Sequence, residues 1–326
     1  MFILNTILIF EIIIIIHELG HFVAAKISKV EVKEFSIGFG PCVFRWGKNK
    51  KYSLRLFPLG GFVSFEDDLK YLNKSIFKRM FIVLSGPFFN ILLGIFSVAF
   101  VLILQGKFNS MVVEKKSEFC NKIEIADEIK KINGKRVFCA NDFIYEFNKT
   151  PMEKDIDLVV RRKGKDVELF DVGEKIKTKE GTRRVLGVSL KPKKLNCFNF
   201  IQQTFSNFLF FIKLIFSSFC KLFTGSLSFK EFSGPVGLTK VVGQAQNQGF
   251  CSLVILLAFI SINVGIFNLL PLFILDGGQF LFLVFELVFK KKISRKYLDI
   301  LNFMGFFVLF LFLIIITIKD LYEIFI

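Results

Sequence analysis

With 326 residues, 53% of them hydrophobic, and a mean hydropathy of +0.55, the chain is too apolar for an ordinary soluble domain and fits an integral membrane protein with some soluble mass. The formal charge of +16 does not indicate a nucleic-acid partner: Lys and Arg sit between apolar runs, and there is no basic helix or RNA-type aromatic motif. The six cysteines form no CxxC pair and no Cys/His cluster, which argues against a cysteine zinc site.

Free or lipid-facing thiols are the better reading of those cysteines, although an oxidising compartment would allow Cys120 to pair with Cys139. Forty-six Phe alongside abundant Ile and Lys reflect codon bias, so runs such as "FLFF" carry little functional information.

A spanning helix needs roughly 20 apolar residues. The first such stretch, about 2–25, lacks a basic n-region and contains "HELGH", so it reads as an uncleaved anchor. Residues 26–79 hold twelve basic and five acidic residues, and within them 43–63 alternates around "GKNKK" like a hairpin. A second span covers about 80–105. From 107 to 196 the chain is charged, with short alternating runs such as "DLVVRRKGKDVELFDV" and the turn signal "INGK", which predicts a small β-rich soluble domain.

The stretch 198–224 is apolar but carries Gln202, Gln203, Asn207, Lys213 and Lys221. Two further spans follow at about 252–275 and 300–318, separated by the basic loop "KKKISRK". The expected fold is thus a polytopic α-helical membrane protein of about four transmembrane helices with one inserted β-rich domain. Its parts are 1–106, 107–196, an amphipathic or interfacial helical segment at 197–251, and 252–326.

Both basic loops belong on the cytoplasmic side by the positive-inside rule, which puts the N-terminus outside. A long β-rich domain crosses largely regardless of its charge and can lie outside as well.

His17 and His21 are the whole histidine stock of the chain. Four residues apart on a helix, they share one face a turn apart, where one zinc can bridge them. Glu18 beside them is suited to take a proton from attacking water. Ionisable groups inside a span are costly and usually functional, so the position of the motif strengthens it.

Catalytic zinc commonly takes three protein ligands. With no third histidine, the remaining ligand is a carboxylate, and the apolar segments offer Glu11, Asp276 and Glu286. Glu11 lies about 9 Å along the axis from His17 and on another face. Glu286 is close to the "KKK" at 290–292 and is expected at the interface. Asp276 remains, followed by Gly277 and Gly278, which permit close backbone approach.

HELGH lies toward the cytoplasmic end of its span and Asp276 at the end of its own. The two meet if only 80–105 crosses between them, so 198–224 is expected on the membrane surface or against the outer domain.

Taken in order, "HELGH", "FSIGFGP" at 35–41, "PLGGFV" at 58–63, "SGPFFN" at 85–90, "SGPVGL" at 233–238 and "SINVGIFNLLPLFILDGG" at 261–278 resemble the site-2 intramembrane metalloproteases, in particular the bacterial regulator of sigma-E protease (RseP) type. The resemblance covers nearly the whole chain. It implies zinc held by His17, His21 and Asp276, Glu18 as catalytic acid and base, and a PDZ-like domain on the outer side of the bacterial inner membrane. It also implies substrate binding by Asn263, Asn268 and Pro271, in the stretch that Pro271 breaks.

Phe273 and Gln279 depart from the family pattern, and "IEIADEI" at 123–129 lacks the glycines of a PDZ signature. Asn90, with Gly86 and Pro87, is expected to pack helices. The 43–63 hairpin could offer an edge strand to an unwound substrate.

The function implied is zinc-dependent cleavage of transmembrane segments of single-span membrane proteins in the lipid bilayer. The substrate would be an anti-sigma factor or signal-peptide remnants, and no small-molecule cofactor is needed. The alternative is a catalytically inactive scaffold that binds single-span proteins through its PDZ-like domain.

Overall fold

The computed structural model of the chain describes residues 2–47, 51–65, 71–117, 121–178, 181–225, 234–291 and 295–325. Cys120, the centre of "GKNKK" and part of "KKKISRK" lie outside the described residues, and with Cys120 any pairing to Cys139. Five helices are long and apolar enough to cross a membrane: Phe2–Ile27, Ile76–Gln105, Cys197–Leu222, Phe250–Asn268 and Ile300–Asp320. Two compact units form, Met1–Ser97 with Ser218–Ile326, and Val98–Ser217.

In the first unit, α1 (Phe2–Ile27) is followed by β1 (Val32–Trp46) and β2 (Tyr52–Phe65). These two long strands fold back on each other. Phe35 pairs with both Tyr52 and Val63, and Ile37 with both Leu54 and Gly61. Four segments therefore lie side by side in the order 42–46, 52–55, 35–37, 61–65, so the sheet starts earlier than the expected hairpin and ends on the 61–65 segment. Phe22, Ala25, Val32 and Phe35 join α1 to this sheet in one buried cluster.

The chain then enters α2 (Ile76–Gln105), with Pro87 inside it. Later come α5 (Pro235–Asn247), α6 (Phe250–Asn268), α7 (Asp276–Phe289) and α8 (Arg295–Phe325). Ile9 and Ile13 of α1 pack with Val242 and Ile260.

The expected span 252–275 divides in two. α6 stops at Asn268, because Pro271 lacks an N–H and disfavours helix at the residue before it. Tight turns follow, with the Leu272 amide donating to the Leu270 carbonyl and the Leu275 amide to the Leu272 carbonyl. Asp276 thus opens a new helix instead of closing an old one.

The second unit is β-rich. Strands β3 (Lys107–Lys116), β4 (Glu128–Ile132), β5 (Lys135–Arg136), β6 (Leu158–Arg162), β7 (Lys165–Leu169) and β10 (Val188–Lys194) form a sheet in the order β10-β3-β4-β6-β7, with β5 on β4. A separate pair is made by β8 (Glu174–Thr178) and β9 (Gly181–Val185). Helix α3 (Ala140–Lys149) covers the sheet, adding Phe143 to a core of Val113, Ile129, Ile132, Leu158 and Val160.

The alternation seen in the sequence is the pleat of these strands, one face dry and one wet. Two of the polar residues of α4 (Cys197–Phe223) meet α3: Lys213 Nζ lies 2.7 Å from Asp142 and 3.0 Å from Glu146, and Asn207 accepts from Asn141.

Candidate metal centre

Helical spacing puts His17 and His21 on one side of α1, and their Nε2 atoms are 3.2 Å apart. Oδ2 of Asp276, from the first residue of α7, lies 3.1 Å from one and 3.5 Å from the other. That oxygen is buried and accepts no hydrogen bond of acceptable geometry. Among the described residues, these three form the one group of three or more His, Cys, Asp or Glu placed to hold a metal ion.

The donor set fits zinc. A tetrahedron with bonds of about 2.0–2.1 Å has edges of about 3.3 Å, the spacing these three atoms already have. The ring orientation fits as well. His21 Nδ1 lies 2.8 Å from the Ile82 carbonyl, which can only accept, so the proton is on Nδ1 and the Nε2 lone pair faces the centre.

Three glycines make the approach possible. At Gly86 of α2, an added methyl would overlap the His21 imidazole and stand 2.9 Å from Cε1 of His17. At Gly277 and Gly278 it would collide with the carbonyls of Leu269, Leu270 and Leu272, which fold back over the start of α7.

Glu18 lines the same cavity of about 330 Å³ as the three donors, together with Phe62, Val63 and Phe65 of β2, Tyr71, Asn268 and Gln279. The backbone at Gly61 leaves room for its side chain, since a methyl there would come within 3.3 Å of Glu18 Cγ. Burial pushes the Tyr71 phenol up to about 12, so it stays protonated across the neutral range.

Of the expected substrate-binding residues, Asn268 is in this lining. Asn263, five residues earlier and therefore on another side of α6, is exposed and outside the lining, and Pro271 is exposed in the turn after the helix.

Three side chains near the site were not legible as such. Glu286, expected at the interface, makes a bidentate pair with Arg79 at 2.7 and 3.0 Å. Asn90, expected only to pack helices, is fully buried with its amide 3.2 Å from His17 Nδ1. For Asn90 the sequence did hold a signal: Gly86 and Asn90 are four residues apart, so the glycine that admits the imidazoles and the amide share one helix face.

With this geometry in hand, known proteins supply the frame. The model of peptidase family M50 matches residues 5–312. A protein of Fusobacterium nucleatum named as a zinc metalloprotease is 32% identical over 333 residues, 96% of each chain. One of Clostridium acetobutylicum with the same description is 34% identical over 332 residues, 96% of this chain and 95% of its own. The regulator of sigma-W protease of Bacillus subtilis is 24% identical over 415 residues, 98% of each. A family match running from the first helix into the last, on a chain whose three donors converge where the family name requires chemistry, has one consequence: the chain belongs to peptidase family M50.

Proposed function

We propose that this site-2-type membrane zinc metalloprotease cuts the transmembrane segments of single-span membrane proteins within the bilayer, with His17, His21 and Asp276 as zinc ligands and Glu18 as the catalytic acid and base. The observation that carries the reading is the triangle of three donor atoms, two of them on a helix long and apolar enough to span and the third at the start of α7, with Glu18 in the same cavity.

Bound zinc supplies a Lewis acid that polarises a scissile carbonyl and makes water a nucleophile at neutral pH. Glu18 takes the proton from the attacking water and delivers it to the leaving amine. The Asn268 amide, on the same cavity wall, holds substrate backbone beside it.

A helical substrate has its carbonyls engaged and must be unwound before it is cut. The 61–65 segment ends its sheet, pairs on one side with 32–37 and lines the metal cavity through Phe62, Val63 and Phe65. It is suited to pair with an extended substrate by strand addition, which would hold the unwound chain beside Glu18.

The β-rich unit is read as a PDZ-like domain on the outer side of a bacterial cell membrane, as is the N-terminus, with the active site toward the cytoplasm. Four helices then span. Part of the polar face of α4 meets α3, through Lys213 with Asp142 and Asn207 with Asn141, which favours α4 lying at the surface. A groove of about 460 Å³ between Phe143, Ile144 and Phe147 of α3 and Leu186 with Val188 and Leu190 of the edge strand β10 supports a peptide-binding role for this unit. Anti-sigma factors and signal-peptide remnants are the substrate classes in view.

The test is cleavage of a model single-span substrate by purified protein in bilayers, with zinc measured in parallel. Glu18→Gln should keep zinc and lose cleavage by two orders of magnitude or more, whereas Asp276→Ala should lose both. Undiminished cleavage by Glu18→Gln sinks the catalytic assignment, and full zinc content in Asp276→Ala sinks the ligand assignment.

A further inference from the structure

Of the two imidazoles at the centre, His21 has its outer nitrogen fixed by a backbone carbonyl, and a carbonyl leaves no choice of tautomer. His17 has no such carbonyl. Its Nδ1 faces the side-chain amide of Asn90 on α2, at 3.2 Å. An amide can present either its NH2 or its oxygen, and the two differ only by a rotation of the group that leaves its outline unchanged.

The choice decides whether His17 can act as a ligand. If the NH2 faces Nδ1, that nitrogen must be the acceptor, the proton sits on Nε2, and the lone pair points away from His21 and Asp276. If the oxygen faces Nδ1, the ring carries its proton there and Nε2 is free to bind metal.

We infer that Asn90 is the positioning residue for His17, its Oδ1 accepting the Nδ1–H and thereby fixing the tautomer that ligates zinc. This rests on the reading of His17, His21 and Asp276 as the zinc ligands. With Nδ2 toward the imidazole nitrogen, Oδ1 is buried and has no hydrogen-bond partner. Rotating the amide satisfies that oxygen with the one donor that metal binding requires His17 to keep.

The placement is rigid. Asn90 is 0% exposed, and its own backbone carbonyl accepts the hydroxyl of Ser261 on α6 at 2.8 Å. One turn earlier on α2, Gly86 clears the space the two rings occupy. One helix therefore supplies the room for both imidazoles and the orientation of one of them, and α6 holds that turn of α2 in place.

Partners of this kind typically change metal affinity by about 10- to 100-fold when removed. Asn90→Ala and the nearly isosteric Asn90→Leu should each weaken zinc binding by about that factor in a chelator competition. Asn90→Asp, whose carboxylate also accepts from Nδ1–H, should stay within a few-fold of the parent.

Because the chain has just two histidines, nitrogen-15 labelling of histidine gives a spectrum of two side chains. In the zinc-loaded parent both should show a protonated Nδ1 and a metal-bound Nε2. In the metal-free Ala and Leu variants, His17 should become a mixture of tautomers while His21 keeps its own.

Parent-like zinc affinity together with an unchanged His17 signal in both variants overturns the inference. So does an affinity loss that Asn90→Asp shares with Ala and Leu, since that marks a packing role. A parent protein that binds no zinc overturns the ligand reading itself, which separates the two failures.

Discussion

The bidentate pair between Arg79 and Glu286 makes a quantitative prediction. Arg79 stands at the start of α2 and Glu286 ten residues into α7, with side chains only 4% and 13% exposed. Both guanidinium Nη atoms donate to the carboxylate, at 3.0 and 2.7 Å, while Nε has no partner. Removing one member leaves the other charge buried and uncompensated, which costs about 3–5 kcal/mol. Replacing both with apolar side chains of similar size removes that penalty and is expected to be close to neutral.

Arg79→Met and Glu286→Leu should therefore each destabilise the protein by about 3 kcal/mol or more, and the double variant by less than either alone. Since α7 begins with Asp276, loosening its far end should also lower zinc retention in the single variants. The measurement is reversible unfolding in mixed micelles, with zinc counted in the folded fraction. Single variants within about 0.5 kcal/mol of the parent, or strictly additive losses, would refute the pair as a clamp on this helix.

Other positions give further expectations. Gly86→Ala should lower zinc content at least tenfold, because the new methyl overlaps His21, and a parent-like zinc-to-protein ratio after purification would show that the rings can give way. Lys213→Met leaves Asp142, 0% exposed, without its cation, so unfolding of the β-rich unit should come about 3–5 kcal/mol earlier; hydrogen exchange across α3 measures it.

Asp127 supplies a pH dependence. Burial pushes its carboxyl up, but the Arg162 guanidinium, at 2.7 and 2.9 Å, and the Glu124 amide hold it below the usual range. A carboxyl depressed in the folded state contributes stability above its unfolded value of about 3.9 and loses it as pH falls through the lower folded value. Exchange protection in β4 and β6 should drop in that acid window, and Asp127→Asn should lower protection at neutral pH while flattening the acid response.

What could be read from the sequence was whatever one element writes locally. HELGH states a helix period, a charge in an apolar run and a ligand geometry all within five residues, so His17, Glu18 and His21 stood out unaided. Asp276 was reachable because so few carboxylates occur in apolar stretches. The break after Asn268 was less visible, since the apolar run continues to Leu275 and only Pro271 interrupts it.

Contacts between distant elements were not written anywhere in the chain. Arg79 and Glu286 are 207 residues apart, and a carboxylate next to lysines reads as solvated until its partner is placed. Asn90 looked like packing because an amide does not name the ring it meets, and the glycine one turn earlier marked only the face they share. The sheet shows the same limit: alternation marked the strands, yet the return of 61–65 onto 35–37 depends on pairing, which a residue pattern leaves open.

The broken helix also bears on how a carboxylate is accommodated among apolar helices. Had α6 run on through Asp276, the residue would have sat at a helix C-terminus, where the partial negative charge of the carbonyls opposes a second negative charge. Restarting the helix at Asp276 reverses that field, because the unsatisfied amides of the first turn favour an anion. The reversal needs the chain to turn sharply while its carbonyls crowd the new helix, and the Gly277–Gly278 pair leaves the space for the carbonyls of Leu269, Leu270 and Leu272. The four letters "LDGG" thus encode a helix start, an anion placed in that start and the room for the turn behind it. The helix-start field acts on Asp276 whether or not a metal is bound, and it favours a carboxylate beside the two imidazoles.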